Sequence, residues 1–298
     1  MTTFSQFSKQ YKSSIDHAIK QALAFNFDDN RLLLEQAMNY SSLAKGKRIR
    51  PLLTIASYTL LNPTNIEIIY PYAIATELIH TYSLIHDDLP AMDDDDFRRG
   101  QPTSHKKFGE DIAILAGDTL NTFAFELIAK RCTPHFEPQH VLNALSYFTQ
   151  QCGATGLIGG QVLDLKTDAS FANLDTLKRI HNGKTAALIQ ACVAGPALLS
   201  GCPDNYINKL KQFGLHLGLL FQIIDDILDV TGTIDSLGKS PNKDSEQNKL
   251  TYVSLEGLDG AKKLAETEYQ LALTLLRDMD KNTEVLEDLC HFVKERDH

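Results

Sequence analysis

A chain of 298 residues, 43% of them hydrophobic, is long enough to bury a large core, as one domain or as two. Its 29 Lys and Arg stand against 38 Asp and Glu, a net charge of −9, which argues against nucleic acid as the main partner because a phosphate backbone needs a basic face. Five cysteines, at 132, 152, 192, 202 and 290, are odd in number and form no CxxC pair, so reduced thiols in a cytoplasmic protein are expected.

The opening stretch MTTFSQFSKQYKSS lacks an apolar core behind a basic end and does not read as a secretory signal. The most apolar interior run, Ala186 to Gly201, contains Gln190 and Pro196 and is shorter than the roughly 20 residues a bilayer crossing needs. A soluble protein with no membrane partner is expected. The 17 glycines and 10 prolines are scattered, with no linker-like or repeated stretch, which favours one domain over residues 1–298.

Apolar side chains recur at three- and four-residue spacing almost throughout, and no region alternates as a strand. The expected fold is therefore all-α, a bundle of long antiparallel helices. Helices over 5–24 and 28–40 come first. A helix over 46–60 follows AKGKRIRP, Ala44 to Pro51, whose Lys47, Arg48 and Arg50 stand at a helix start, where unpaired backbone N–H groups also favour anions.

The next helix, 66–88, ends in HDDLPAMDDDDFRRG, His86 to Gly100, with six aspartates in ten residues and then two arginines. Pro90 breaks the helix just after Asp88. Asp87 and Asp88 thus stand at a C-terminus, where the helix dipole disfavours anions and a nearby cation would be needed. The four residues between Asp88 and Asp93 could fold Asp93 back toward Asp87. By itself the run Asp93 to Asp96 reads equally well as a solvated acidic loop.

Helices over 109–131 and 138–166 follow. The second contains GATGLIGG, Gly153 to Gly160, with too many glycines for an exposed helix at a cost of about 1 kcal/mol each; close approach of a backbone or a ligand is implied. A helix over 174–200 carries HNGKTAAL, His181 to Leu188, placing Lys184 and Thr185 before an apolar face.

The helix over 204–231 shows the clearest pattern, Ile207, Leu210, Phe213, Leu217, Leu220, Ile224 and Leu228. Within it FQIIDDILDV, Phe221 to Val230, sets Gln222, Asp225, Asp226 and Asp229 on one polar stripe, since i, i+3, i+4 and i+7 share a helix face. Ile223, Ile224, Ile227 and Leu228 surround the stripe, which points it inward, where uncompensated carboxylates would be very costly. A polar loop with Lys239 and Lys249 follows, then helices over 258–278 and 283–296.

Two acidic clusters without cysteine or histidine at zinc spacing select a hard cation, and Mg²⁺ prefers one or two carboxylates completed by water and phosphate oxygens. The two clusters would make a cage for a magnesium–diphosphate ligand, and the small basic groups would supply fixed positive charge.

DDLPAMD with FRRG after it, DDILD, GKRIRP, GKT and GGQVLDL together resemble the motifs of trans-isoprenyl diphosphate synthases, nearest to the bacterial farnesyl and the related geranylgeranyl enzymes. The likeness runs from about residue 40 to the C-terminus, in the same order and spacing. It implies the isoprenoid-synthase fold around a central cavity, a homodimer, and three Mg²⁺ per site. It implies that Asp87 and Asp93 bind two of the ions and Asp225 the third, with Asp88 and Asp229 close by. Arg98, Lys184, Thr185, Gln222, Lys239 and Lys249 would contact the allylic diphosphate of dimethylallyl or geranyl diphosphate. Gly46, Lys47, Arg50, His80 and Arg99 would hold isopentenyl diphosphate. Catalysis would rest on Lys184, Thr185, Arg98 and Lys239 as diphosphate leaves, the backbone and side-chain oxygens of Lys184 and Thr185 also steadying the allylic cation.

Product length in such enzymes is set four and five residues before the first aspartate, here Ser83 and Tyr82. Tyr82 lies about 7.5 Å below Asp87 along a helix, bulky enough to stop growth at fifteen carbons, whereas the small Ser83 leaves a twenty-carbon product open. One departure is Lys45 in place of the first glycine of the usual GGKR. The stretch from Leu237 to Asn248 suggests a lid. A terpene cyclase would normally replace DDILD by an Asn/Ser/Glu triad, and a head-to-head synthase would lack GKRIRP. The non-enzyme alternative is an acidic helical divalent-ion binder or regulatory subunit, which leaves Lys184 and Arg99 without a role.

Overall fold

A computed structural model describes residues 3–61, 63–168, 173–232 and 250–296. Contacts among them cluster into two units, one of Ser5–Leu145 and one of Phe4 with the residues from Ser146 onward. Both are helical, as the apolar periodicity implies.

The first unit contains α1 (Phe4–Ala22, all but its first residue), α2 (Arg31–Ser42), α3 (Ile49–Thr59), α4 (Tyr70–Asp87), α5 (Ser104–Phe108) and α6 (Glu110–Leu127). Helix α4 starts with Pro71 in its first turn, where a missing N–H costs nothing. Tyr72, Leu78, Ile79 and Ile85 bury different sides of it, as expected of a helix apolar on most of its circumference. It packs on α3 and α6. The α4–α6 approach is close because Gly117 has no side chain; a Cβ there would stand 2.1 Å from His86 Nε2. That ring nitrogen instead donates to the Ile114 carbonyl at 3.1 Å.

Helix α6 runs on through a π-helical turn, Ile128–Cys132. Together they form 23 residues of mean hydropathy 1.4, long and apolar enough by composition to cross a membrane, with 44% of the window buried. Packing against α4 buries part of that apolar content, while Ile114 and Leu115 stay exposed. The sequence places the most apolar run instead at Ala186 to Gly201.

A short antiparallel hairpin, β1 (Phe97–Arg98) with β2 (Gln101–Pro102), lies where no strand was expected. Its turn residues Arg99 and Gly100 have φ of 53° and 78°, the two left-handed positions of a two-residue turn that matches strand twist.

The second unit contains α8 (Leu157–Lys166), α9 (Leu174–His181), α10 (Ala187–Leu199), α11 (Asp204–Thr231), α12 (Tyr252–Arg277) and α13 (Glu284–Glu295); α7 (Pro138–Cys152) crosses the boundary. Helix α11 packs on α10 and α12, burying Leu210, Phe213, Leu217 and Leu220. Three expected spans change. The helix over 138–166 is two helices, broken at Gly153–Gly156 where Gly156 takes φ −121°, ψ −125°. The helix over 174–200 is interrupted by a π-helical turn, Asn182–Ala186. Helix α12 is kinked at Gly257 (φ 70°, ψ 169°), so the helix expected from 258 follows the kink, and a further turn from Tyr252 precedes it under a reciprocal Thr251–Ser254 cap, which satisfies two otherwise unpaired N–H groups.

The glycines of GATGLIGG admit backbone. A Cβ on Gly160 would stand 2.0 Å from the Lys184 nitrogen, and one on Gly183 would stand 2.8 Å from the Gly160 Cα. None of the five cysteines forms a disulfide; Cys132, Cys152, Cys192 and Cys290 are buried and Cys202 is partly exposed.

Gly160→Ala should therefore lower the unfolding free energy by about 3 kcal/mol, since a methyl forced against backbone cannot be accommodated by rotamer change. Guanidinium unfolding measures it, and an unchanged midpoint would show that α8 does not pack on the 182–186 turn in this way.

Candidate active site

In the first unit the chain after α4 turns back sharply. The Asp93 N–H donates to the Asp87 carbonyl at 2.8 Å, and Asp94 N–H to the Leu89 carbonyl at 3.2 Å. Asp94 takes φ 50° to do so. Asp93 thus returns to the turn that carries Asp87, as the Pro90 break suggested.

The hairpin brings Arg98 onto Asp88. Arg98 Nε donates to both carboxylate oxygens at 2.7 and 2.9 Å, and Nη2 lies 2.5 Å from Oδ1. Burial raises the Asp88 carboxyl above its ordinary range, and the hydrogen bonds and charge of Arg98 oppose that rise. The Arg98 guanidinium is driven above its ordinary range by Asp88, with Asp95 and Asp87 adding to it. Lys106 pairs with Asp96 at 2.8 Å. Much of the like charge in the acidic run is thereby offset locally.

Around His80 stand four guanidiniums. Burial, then Arg50, Arg99, Arg98 and Arg48, push its imidazole well below the usual histidine range, so it is neutral at pH 7. Gly46 closes on this group; a Cβ there would stand 3.1 Å from Arg99 Nη1. Arg99 itself is lowered by burial and by Arg48, Arg98 and Arg50, with Glu77 opposing. Arg48 is bound to Glu77 at 2.8 Å and Asp16 at 2.7 Å, and takes φ 54°. Gly46, Arg50, His80 and Arg99 therefore gather into one positive cluster, while Lys47 lies exposed beside it, as does Lys45.

The second unit holds the other expected residues. Lys184, in the π-helical turn, pairs with Asp164 at 2.5 Å. Thr185 Oγ1 donates to Gln222 Oε1 at 3.1 Å, Gln222 Nε2 donates to Asp226 Oδ1 at 3.0 Å, and Asp226 Oδ2 accepts the Tyr252 N–H at 2.8 Å. The expected inward stripe of α11 is divided: Asp226 and Asp229 are buried, whereas the Asp225 side chain is 43% exposed. Arg296 places its guanidinium 2.6 Å from Asp225 Oδ1, 2.7 Å from the Phe221 carbonyl and over the Phe221 ring. Lys239, Lys249 and the expected lid from Leu237 to Asn248 lie outside the described residues.

In each unit, taken by itself, the carboxylates suit a hard divalent ion. Asp225 already attracts a cation, and the turn draws Asp93 back to Asp87. Among the described residues no three carboxylate, thiolate or imidazole groups converge closely enough to hold an ion unaided, so an ion here would complete its shell with water and ligand oxygens, the habit of Mg²⁺.

Four partners escaped the sequence reading. Asp164 lies inside GGQVLDL and Asp226 inside DDILD, so each was in view without its role. Glu77 and Arg296 carry no local pattern that pairs them with Arg48 and Asp225.

The sequence profile of the family described as Polyprenyl synthetase matches residues 31–292. The chain is 41% identical over 265 residues, 89% of both chains, to the farnesyl diphosphate synthase of Bacillus subtilis (strain 168). It is 43% identical to the chloroplastic geranylgeranyl pyrophosphate synthase 7 of Arabidopsis thaliana, covering 85% of this chain and 72% of that one. Among solved structures, an FPP/GFPP synthase from Zymomonas mobilis is similar with a TM-score of 0.85 and 32% identity, over 98% of both chains.

His181, at the start of the Lys184 turn, is buried, and burial, with Asp164 opposing and Lys184 assisting, lowers it from 6.5 to about 4. The unfolded chain binds the proton more readily between those values, so stability is full above pH 6.5 and falls as pH drops toward 4, by about 3 kcal/mol. Unfolding free energies of wild type and His181→Gln across this range should converge as pH falls; parallel curves would show that His181 is not held neutral.

Proposed function

This chain belongs to the polyprenyl synthetase family, and on that premise we propose that it condenses isopentenyl diphosphate head to tail with dimethylallyl and then geranyl diphosphate, giving farnesyl diphosphate. That it is a prenyltransferase follows from the family; the fifteen-carbon product is our reading. The observation that carries it is Tyr82, which is 6% exposed and fixed edge-on against His86 with ring centroids 5.7 Å apart. It lies one and a half turns before Asp87, about 7.5 Å along α4, where it would floor the chain-elongation space. The geranylgeranyl reading rests on Ser83, whose small hydroxyl is turned back to the His80 carbonyl at 2.9 Å.

The roles of the side chains follow from their chemistry. Gly46, Lys47, Arg50 and Arg99, with neutral His80 among them, suit the diphosphate of isopentenyl diphosphate without a metal. Asp87, Asp93 and Asp225, with Asp88 and Asp229 beside them, would hold three Mg²⁺, and Arg98, Lys184, Gln222, Lys239 and Lys249 would face the allylic diphosphate. Bound Mg²⁺ would neutralise charge developing on the leaving diphosphate. Fixed cations already in place do the same without reorganisation. The double bond of isopentenyl diphosphate attacks the allylic carbon, and the departing diphosphate takes the proton. We further propose a cytoplasmic homodimer acting as one domain.

Purified protein incubated with Mg²⁺, dimethylallyl diphosphate and excess isopentenyl diphosphate should yield a dominant fifteen-carbon product by mass spectrometry, abolished by EDTA. A twenty-carbon product would keep the chemistry and overturn the length argument. Tyr82→Ala should shift the product to twenty carbons or more; an unchanged product would place the floor elsewhere. Asp87→Ala and Asp225→Ala should each cut turnover by at least about a hundredfold with the fold intact, as for loss of one electrostatic element; near-normal turnover in either would remove that residue from the metal cage.

A further inference from the structure

We propose that Asp226 is a positioning residue: it fixes which end of the Gln222 carboxamide faces Thr185, and so makes the Thr185 hydroxyl an acceptor toward bound substrate. The inference rests on the prenyl-transfer reading and names a part of it that motif and family likeness leave open.

Hydrogen-bond polarity fixes the orientation of the Gln222 amide. Asp226 is 3% exposed, and its Oδ2 accepts the N–H of Tyr252 at the start of α12, 2.8 Å away. A carboxylate there complements the positive end of the helix. Gln222 Nε2 donates to Oδ1 at 3.0 Å, so the nitrogen end of the carboxamide faces Asp226. The other end of that amide is then the oxygen, and it meets Thr185 Oγ1 at 3.1 Å. A carbonyl oxygen needs a donor, and the threonine hydroxyl has one proton. That proton is spent on Gln222, and lone pairs are what remain.

A group that offers only lone pairs cannot hydrogen-bond a diphosphate oxygen, itself an acceptor. It suits the electron-poor allylic carbon that forms as the diphosphate departs. Of the two roles expected for Thr185, the polarity favours the cation over the diphosphate. It also separates the paired aspartates. Asp225 is half-exposed and meets a cation, Arg296, whereas Asp226 has each oxygen on an N–H group of the chain and serves orientation.

The decisive variant is Asp226→Asn, which keeps the shape and an oxygen for the Tyr252 N–H but turns an NH₂ toward Gln222. The Gln222 amide then reverses and the Thr185 proton is released toward substrate. Relative to wild type, kcat should fall at least about tenfold, by analogy with one misdirected electrostatic group, with KM for geranyl diphosphate unchanged. Calorimetric affinity for Mg²⁺ with inorganic diphosphate should also be unchanged, whereas Asp225→Asn weakens it. Thr185→Val should lose a similar factor, and Thr185→Val/Asp226→Asn no more than the worse single variant, because both act on one hydroxyl.

Multiplying losses in the double variant would overturn the proposal, as would an Asp226→Asn loss of Mg²⁺–diphosphate affinity matching that of Asp225→Asn. If Asp226→Asn lowers the melting temperature enough to obscure the kinetics, Gln222→Met decides: it leaves the Asp226–Tyr252 bond intact and should lower kcat, and Thr185→Val/Gln222→Met should lose no more than the worse single variant; normal turnover or multiplying losses overturn the idea. A folded wild-type chain that forms no product overturns the prenyl-transfer reading itself, and this inference with it, before any variant is made.

Discussion

The second unit is organised by one close backbone approach. Glycines of α8 lie against the π-helical turn of residues 182–186, so closely that a Cβ on Gly160 would reach the Lys184 nitrogen. A π-helical turn inserts a residue into the helical ladder and is found mostly where function needs a side chain displaced from its regular position. Here it sets Lys184 toward Asp164 and Thr185 toward Gln222 from adjacent positions. Were α8 held off by even one methyl, the Lys184–Asp164 contact would lengthen, because Asp164 is carried by α8 itself.

Charge is handled by division of labour within each aspartate pair. In Asp87–Asp88 and in Asp225–Asp226 the first residue is part-exposed and the second is buried. Asp88 is committed to the Arg98 fork and Asp226 to a helix start and an amide. Burial of a carboxylate is tolerable only when hydrogen bonds replace its water, and each buried partner meets that condition. The first members retain the solvent access that a bridging cation requires. A pair of adjacent aspartates is thus one outward ligand and one inward strut.

The sequence carried much of this. Apolar spacing defined α11 almost to the residue, and Pro90 correctly ended α4 near Asp88. Where periodicity fell short, a local device was at work: the Gly153–Gly156 break divided one expected helix, and the Thr251–Ser254 cap set a further turn ahead of the Gly257 kink, after which the helix expected from 258 begins. The 97–102 hairpin is too short for alternation to register. The stripe of α11 was legible as a face, but its partition was not, because burial of Asp226 against exposure of Asp225 depends on α12 and α13, whose placement no spacing encodes. The same holds for Arg48: adjacent to Lys47 in sequence, it is paired with Glu77, 29 positions away.

The cysteines give the molecule a single chemical handle. Alkylating reagents attack the thiolate and need access to it. Cys132, Cys152 and Cys290 are buried, with burial driving their thiols upward, and Cys192 is buried as well. Cys202, in the short connection between α10 and α11, is partly open to solvent. A maleimide fluorophore or spin label added to the folded chain will therefore concentrate at that one position, several helical turns from the aspartates of α11, where it can report on the molecule without occupying its chemistry.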